Sequence, residues 1–256
     1  MSIFFDYLDI IPILLPIAMI VGFLVGATGV GGGAVMTPAL IGVLGLPAVT
    51  VIATDLVFAS VIKAAINIRK AQRNLVNWRL AKGIWLGAIP AVLIASFLVS
   101  RLRVDYLVEL LMLLVGVAVT LSGVSMFREL KGRVTEKIGA SKFGVVLGGL
   151  VGATSVGAGA LGMVVLRRLA PPGTPPANLV ATDLAVALPI AIAGGLVHLL
   201  SGSFDFGLFA LLVLPGLPAA FLGAKFSRLV KANFLRKALG VVLLVAGAGL
   251  FAKVLV

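Results

Sequence analysis

The sequence predicts an all-α, polytopic bundle of transmembrane helices made of two copies of one unit, and three observations predict it. The first is composition. Of the 256 residues, 61% are hydrophobic and 12% charged, and the mean hydropathy is +1.22, whereas soluble domains carry a charged fraction near about 25%. The second is run length: the apolar stretches are continuous, rich in Ala, Leu and Gly, and near the roughly 20 residues that a helix needs to cross a bilayer. A transmembrane barrel would instead show strands of about 10 residues alternating in polarity. The third is repetition. Residues Gly26 to Leu40, GATGVGGGAVMTPAL, recur as Gly152 to Leu166, GATSVGAGALGMVVL, with eight identities in fifteen positions. A second pair follows in the same order, Ala53-Thr54-Asp55-Leu56 and Ala181-Thr182-Asp183-Leu184.

Composition also excludes function classes. Cysteine is absent, which removes disulfides and thiolate chemistry. The single histidine, His198, belongs to no zinc-protease or Ser/His pattern, so no enzyme activity, metal or cofactor is expected. A net charge of +12 would suggest nucleic acid in a soluble protein. In this chain the basic residues lie in the loops between apolar runs, which is the positive-inside distribution of a membrane protein, so no nucleic-acid partner is expected. The opening MSIFFDYLD has no basic region or cleavage site of a signal peptide, and the first apolar segment is expected to be retained.

The elements then follow in order. An apolar helix from Ile10 to Ala27 runs into the first glycine-rich break, and Ala34 to Leu44 is too short to cross alone. Ala48 to Ile66 is a full span, followed by the loop Arg69 to Lys82 with five basic residues and no acid. Trp78 and Trp85 beside that loop fit an interfacial position. Spans at Gly83 to Val99 and Tyr106 to Phe127 lead to a second basic loop, Arg128 to Lys142. The second half repeats the order: a short helix Phe143 to Val156, a shorter one Ala160 to Leu169 stopped by Pro171, Pro172, Pro175 and Pro176, then spans Asn178 to Leu200, Phe206 to Ala224 and Phe234 to Val254.

The loops set the relation between the copies. In the first half the basic loop follows the Asp55 span. In the second the corresponding loop, Ser201 to Asp205, has no basic residue, and the basic one, Lys225 to Lys237, comes a helix later. Residues 1–130 and 131–256 are therefore expected to be inverted-topology repeats forming one membrane domain, with both termini outside. In such proteins the substrate site lies near the midplane between the repeats, where helices are broken or re-entrant.

Broken helices in a membrane leave backbone amides without partners unless they line a polar cavity or are buried in protein. The short helices beginning near Ala34 and Ala160 would aim their N-terminal amides, each end worth about half a positive charge, at the centre. Two such ends form an anion site without a basic side chain; the ordinary alternative is that the glycines only allow close helix packing. Thr28 and Thr154 offer hydroxyls to an oxyanion, or bond back to a carbonyl of their own helix. Asp55 and Asp183 are the acids well inside spans, at a cost of at least about 2.5 kcal/mol each unless paired, solvated or protonated. They suit either a proton or cation relay or the capping of broken helices. Lys63, two turns beyond Asp55, has Ala191 as its counterpart and is expected to snorkel to the interface, the alternatives being that it pairs with an acid or lines the cytoplasmic vestibule. His198 is expected to be a structural donor.

The duplicated glycine motif with Pro38 downstream, the Ala-Thr-Asp-Leu echo and the length together resemble the sulfite exporter TauE/SafE family, over essentially the whole chain. The resemblance implies secondary transport of small sulfur-containing anions, such as sulfite, sulfoacetate or related organosulfonates, across a bacterial or archaeal cell membrane. It also implies that Thr28, Gly31, Gly33, Thr154, Gly157 and Gly159 line the anion path. The second motif departs from the first, with Val164 in place of Pro38 and Ala158 in place of Gly32, so its break should be milder. Two ionised carboxylates would repel an anion, so at least one is expected to be protonated during anion occupancy, which would couple transport to protons. The alternatives are a carrier with Asp55 and Asp183 as the cargo site, a passive anion channel, and a membrane scaffold.

Overall fold

The structure is a computed structural model that describes residues 7–29, 32–69, 73–101, 105–127, 139–157, 159–171, 173–226 and 232–255. Its described residues form ten α-helices and one short 3-10 turn, with no strand. In order these are α1 (Ile11–Thr28), α2 (Gly33–Gly42), α3 (Ala48–Arg69), α4 (Trp78–Ser100), α5 (Asp105–Phe127), α6 (Ala140–Thr154), α7 (Ala160–Leu169), α8 (Pro176–Leu200), α9 (Phe206–Phe226) and α10 (Ala232–Leu255). The stretches Ile11–Thr28, Ala48–Ile66, Trp78–Ser100, Glu109–Phe127, Ala177–Leu200, Phe206–Phe226 and Phe234–Ala252 are long and apolar enough to cross a membrane. The helices α2, α6 and α7 are shorter. At about 1.5 Å per residue, α2 reaches only about half way across a hydrocarbon core of about 30 Å.

Most boundaries fall within a few residues of expectation, and the largest shift has a local cause. Helix α4 starts at Trp78 rather than Gly83 because the Asn77 side chain accepts the Leu80 N–H (3.1 Å), which caps the helix ahead of Arg79 and Lys82. Helix α9 starts in the same way, with Asp205 accepting the Leu208 N–H (2.7 Å). Residues 128–138 of the loop Arg128 to Lys142 and residues 227–231 of the loop Lys225 to Lys237 lie outside the described residues.

Every extensive helix pairing joins the two halves of the chain: α1 with α9, α4 with α6, α5 with α10, and α3 with α8. Two of these pairs approach through small residues. A Cβ added at Gly22 or Gly26 of α1 would overlap the backbone of Gly216 or Ala220 in α9. The same holds at Gly148 and Gly152 of α6 against Ala88 and Val92 in α4. These are matched positions of the two duplicated segments, so the close approach recurs with the sequence repeat. Among lipid-embedded helices such contact replaces the hydrophobic drive that water would supply, since the surrounding chains are as apolar as the side chains themselves. The outward surface fits that environment: Leu86, Ile94, Leu200, Leu214 and Val245 are all exposed.

At the centre α3 and α8 run in opposite directions, with Val57 beside Gly195 and Lys63 within electrostatic reach of Asp183. Helix α8 runs parallel to α4, held by Asn77 N–H to Thr182 Oγ1 (3.0 Å) and by Trp85 Nε1–H to the Val186 carbonyl (3.3 Å). Trp85 is therefore a tie between helices, while Trp78 is 42% exposed and takes the outer position. Replacing Gly26 by Leu is expected to lower the unfolding midpoint in detergent, by an overpacking cost of about 1–3 kcal/mol or more. Gly149→Ala, whose Cβ would meet nothing within 4 Å, should leave the midpoint unchanged. Equal midpoints for the two variants would remove the close-approach account.

Candidate functional site

Both glycine motifs break the chain in the same way. Helix α1 ends at Gly29 in the left-handed region (φ 72°), and α6 ends at its counterpart Ser155, also left-handed (φ 57°). Glycine adopts that conformation without steric cost, whereas serine does so against a penalty of about 1–2 kcal/mol. Ser155 is held there by its hydroxyl, which donates to the Thr154 carbonyl (2.6 Å) and lies 2.6 Å from Thr37 Oγ1. The chain then turns through Gly157 (φ 124°) and enters α7.

These breaks converge on one buried cavity between the halves. Gly33 and Ala34, the first residues of α2, line it together with Ser155, Gly157 and Gly159, which lead into α7, and Lys63 of α3. It has room for about one water molecule. Gly33 is required by space: a Cβ there would overlap the Ser155 carbonyl oxygen and lie 2.6 Å from Asp55 Oδ2.

One ammonium, that of Lys63, lines the cavity, and two buried carboxylates pack against the helix breaks beside it. Asp55 is 0% exposed, Asp183 3% and Lys63 2%. Lys63 acts electrostatically on both acids. This corrects the expectation that Lys63 snorkels to the interface: it turns inward because α8 runs antiparallel to α3 and brings Asp183 to its end of the helix. Neither acid is alone at its helix break. Asp55 sits against Gly32 and Gly33 at the start of α2, and Asp183 Oδ1 would lie 2.7 Å from a Cβ at Gly162 in the first turn of α7. The positive ends of the two short helices thus already face the protein's own carboxylates.

The two acids differ in their neighbours. Asp55 Oδ2 accepts from Thr37 Oγ1 (3.3 Å), which itself lies 2.6 Å from Ser155 Oγ. Asp183 has Lys63 beside it, and its Oδ1 has no hydrogen-bond partner among the described residues. The Oδ1 of Asp55 is likewise without one. The counterpart of Ser155 is Gly29 and that of Thr37 is Met163, so the hydroxyls belong to one carboxylate only.

The site residues expected from sequence separate into three groups. Gly33, Gly157 and Gly159 line the cavity, while Asp55 packs against Gly33 and Asp183 against Gly162 without lining it. Thr28 and Thr154 bond back to the Leu24 and Leu150 carbonyls (both 2.7 Å), the ordinary intrahelical arrangement. Gly31 lies outside the described residues. His198 is fully buried, yet neither ring nitrogen has a hydrogen-bond partner among the described residues, which corrects the expectation of a structural donor. Sequence reasoning missed Ser155 and Thr37. Their signal was present as polar residues at positions where the aligned copy has Gly29 and Met163.

Spanning helices packed around a buried, charged cavity that is lined from both halves of the chain form the architecture of a membrane transporter. Comparison with known proteins agrees. Residues 14–250 match the family model described as Sulfite exporter TauE/SafE, and the chain belongs to that family. It is 29% identical over 246 residues to the Probable membrane transporter protein YjnA of Bacillus subtilis (strain 168), covering 90% of this chain and 95% of that protein. No solved structure matches the chain significantly. The protein is a multi-pass membrane transporter, not an enzyme, and its surroundings are the lipid bilayer and a small-molecule substrate.

The charge cluster yields a stability test. Lys63→Met leaves two buried carboxylates without their cation and is expected to destabilise the protein by about 3–5 kcal/mol. Adding Asp183→Asn to that variant should recover much of the loss. A thermal-unfolding double-mutant cycle in detergent measures the coupling, and additive effects would show that the two groups do not interact.

Proposed function

We propose that this transporter moves small sulfur-containing anions, such as sulfite, sulfoacetate or related organosulfonates, across the cell membrane by proton-coupled secondary transport. The observation that carries the proposal is a cavity onto which the N-terminal ends of α2 and α7 open, one from each half, with Lys63 in its wall. Partial positive charge from two helix ends and a full charge from lysine favour an anion there. The family description supports the sulfur-anion class.

Two inverted-topology repeats, residues 1–130 and 131–256, form the moving parts in this reading. It is supported by the opposite directions of α3 and α8 and by the matched glycine contacts of α1 and α6. A sulfite ion is larger than the one water that fits the cavity, so loading requires the halves to part, as rocking of one repeat against the other would allow. Thr28, Gly31 and Thr154 belong to the path that such opening exposes. Asp55 and Asp183 are the coupling groups, because their charge would otherwise oppose the cargo's.

One observation favours a second reading, in which the two aspartates bind a cation as cargo: each has a buried oxygen without a hydrogen-bond partner among the described residues. Unfolding midpoints in detergent separate the two readings, measured with sulfite, thiosulfate, sulfate, sulfoacetate, acetate, and sodium or potassium salts at matched ionic strength. Ligand bound to the native state raises the midpoint by mass action. A selective rise with one sulfur anion, abolished by Gly33→Ala, is the expected result. A response to cations alone makes Asp55 and Asp183 the cargo site. In proteoliposomes the flux should saturate and show counterflow, which a passive channel would not.

A further inference from the structure

We propose that Lys63 supplies the charge that pairs with the transported anion, and that Asp183 occupies this position in the empty site until it takes up one proton. This rests on the anion reading above and assigns its binding group and its coupling stoichiometry.

The asymmetry of the charge cluster points there. Lys63 both lines the cavity and is 2% exposed, so its charge is held in a space with little water, where an unbalanced ammonium is costly. A carboxylate must therefore balance it when no cargo is present. Both acids act on it, but their other ties differ. Asp55 accepts from the Thr37 hydroxyl, which in turn contacts Ser155 Oγ, and these contacts would have to be broken for it to move. Among the described residues no hydroxyl bonds to Asp183, and its Oδ1 lacks a hydrogen-bond partner. It is the carboxylate that can be neutralised without dismantling a hydrogen-bonded network.

Charge balance then fixes the coupling. With both acids ionised and the lysine protonated, the cluster carries one net negative charge. A monovalent anion entering this water-poor space would double that charge. One proton delivered to Asp183 from the loading side cancels the increase, and the ammonium passes from carboxylate to anion. A monovalent sulfonate should thus travel with one proton, and a divalent anion would need two. Among the described residues Lys63 is the titratable group that lines the cavity. Besides Asp55, Lys63 and Arg69 on α3, the charged residues of the elements packed on α8 are Arg73 in the 3-10 turn (Arg73–Leu75), Arg79 and Lys82 at the start of α4, Lys142 at the start of α6, and Arg167 and Arg168 in the last turn of α7.

Isethionate titrations of the purified protein in detergent, followed by the unfolding midpoint, test this. Isethionate is a sulfonate whose single charge does not change across the neutral range, so any pH dependence belongs to the protein. Wild-type affinity should weaken by about tenfold per pH unit above the titration of Asp183, the slope of one linked proton. Asp183→Asn should bind isethionate with no pH dependence. Lys63→Arg should retain binding. The variant Lys63→Gln/Asp183→Asn, which keeps the cluster's net charge of minus one, should fold and be unaffected by isethionate at every pH. If that double variant is stabilised like wild type, or if Asp183→Asn keeps the wild-type slope, the inference is overturned while the anion reading stands. If isethionate, sulfite and sulfoacetate all leave the wild type unmoved, the anion reading fails, and this inference with it.

Discussion

The structure depends on keeping three ionisable groups charged or neutralised inside a bundle that faces lipid. Asp55, Asp183 and Lys63 are almost wholly buried, and each alone would cost several kcal/mol in such surroundings. What makes them tolerable is their arrangement. Each acid sits against the positive end of a broken helix, and the ammonium acts on both. The helix breaks and the charges thus require each other. Without the carboxylates, the first amides of α2 and α7 would face a cavity with little water; without the breaks, the carboxylates would face unbroken helix and hydrocarbon.

That arrangement needs the two halves to interlock closely, and the small-residue contacts provide it. Where α1 meets α9 and α4 meets α6, glycine allows backbone to touch backbone. Each contact joins a helix of one copy to a helix of the other, so neither copy closes its own core. The cavity then forms between the copies, with α3 and α8 crossing at the centre. Its walls come from both halves of the chain.

Within the near-symmetric frame the chemistry is not symmetric. The first carboxylate accepts from the Thr37 hydroxyl, which contacts Ser155, and the second stands within electrostatic reach of Lys63. Ser155 illustrates how the difference is maintained. It accepts a left-handed backbone that its counterpart Gly29 adopts freely, and in return places a hydroxyl against the Thr37 hydroxyl that bonds to Asp55.

The sequence by itself determined the fold class, the duplicated motifs and the helix breaks, because these follow from local properties: apolar run length, glycine content and the spacing of loop charges. It also picked out Asp55, Asp183, Gly33, Gly157 and Gly159, since an acid within an apolar span and a duplicated glycine stand out along the chain. Only the tertiary structure decided how these residues combine. Lys63 read as a helix-end lysine because its acid partner Asp183 lies 120 positions away in sequence and comes near only through the antiparallel packing of α3 and α8. Thr37 and Ser155 were passed over for the same reason: their shared contact spans 118 positions. His198 read as a donor, and packing left its ring nitrogens without hydrogen-bond partners among the described residues. Local pattern fixes where a helix runs and where it stops; which side chains meet across a bundle depends on helix direction and rotation, which are set by contacts distant in the chain.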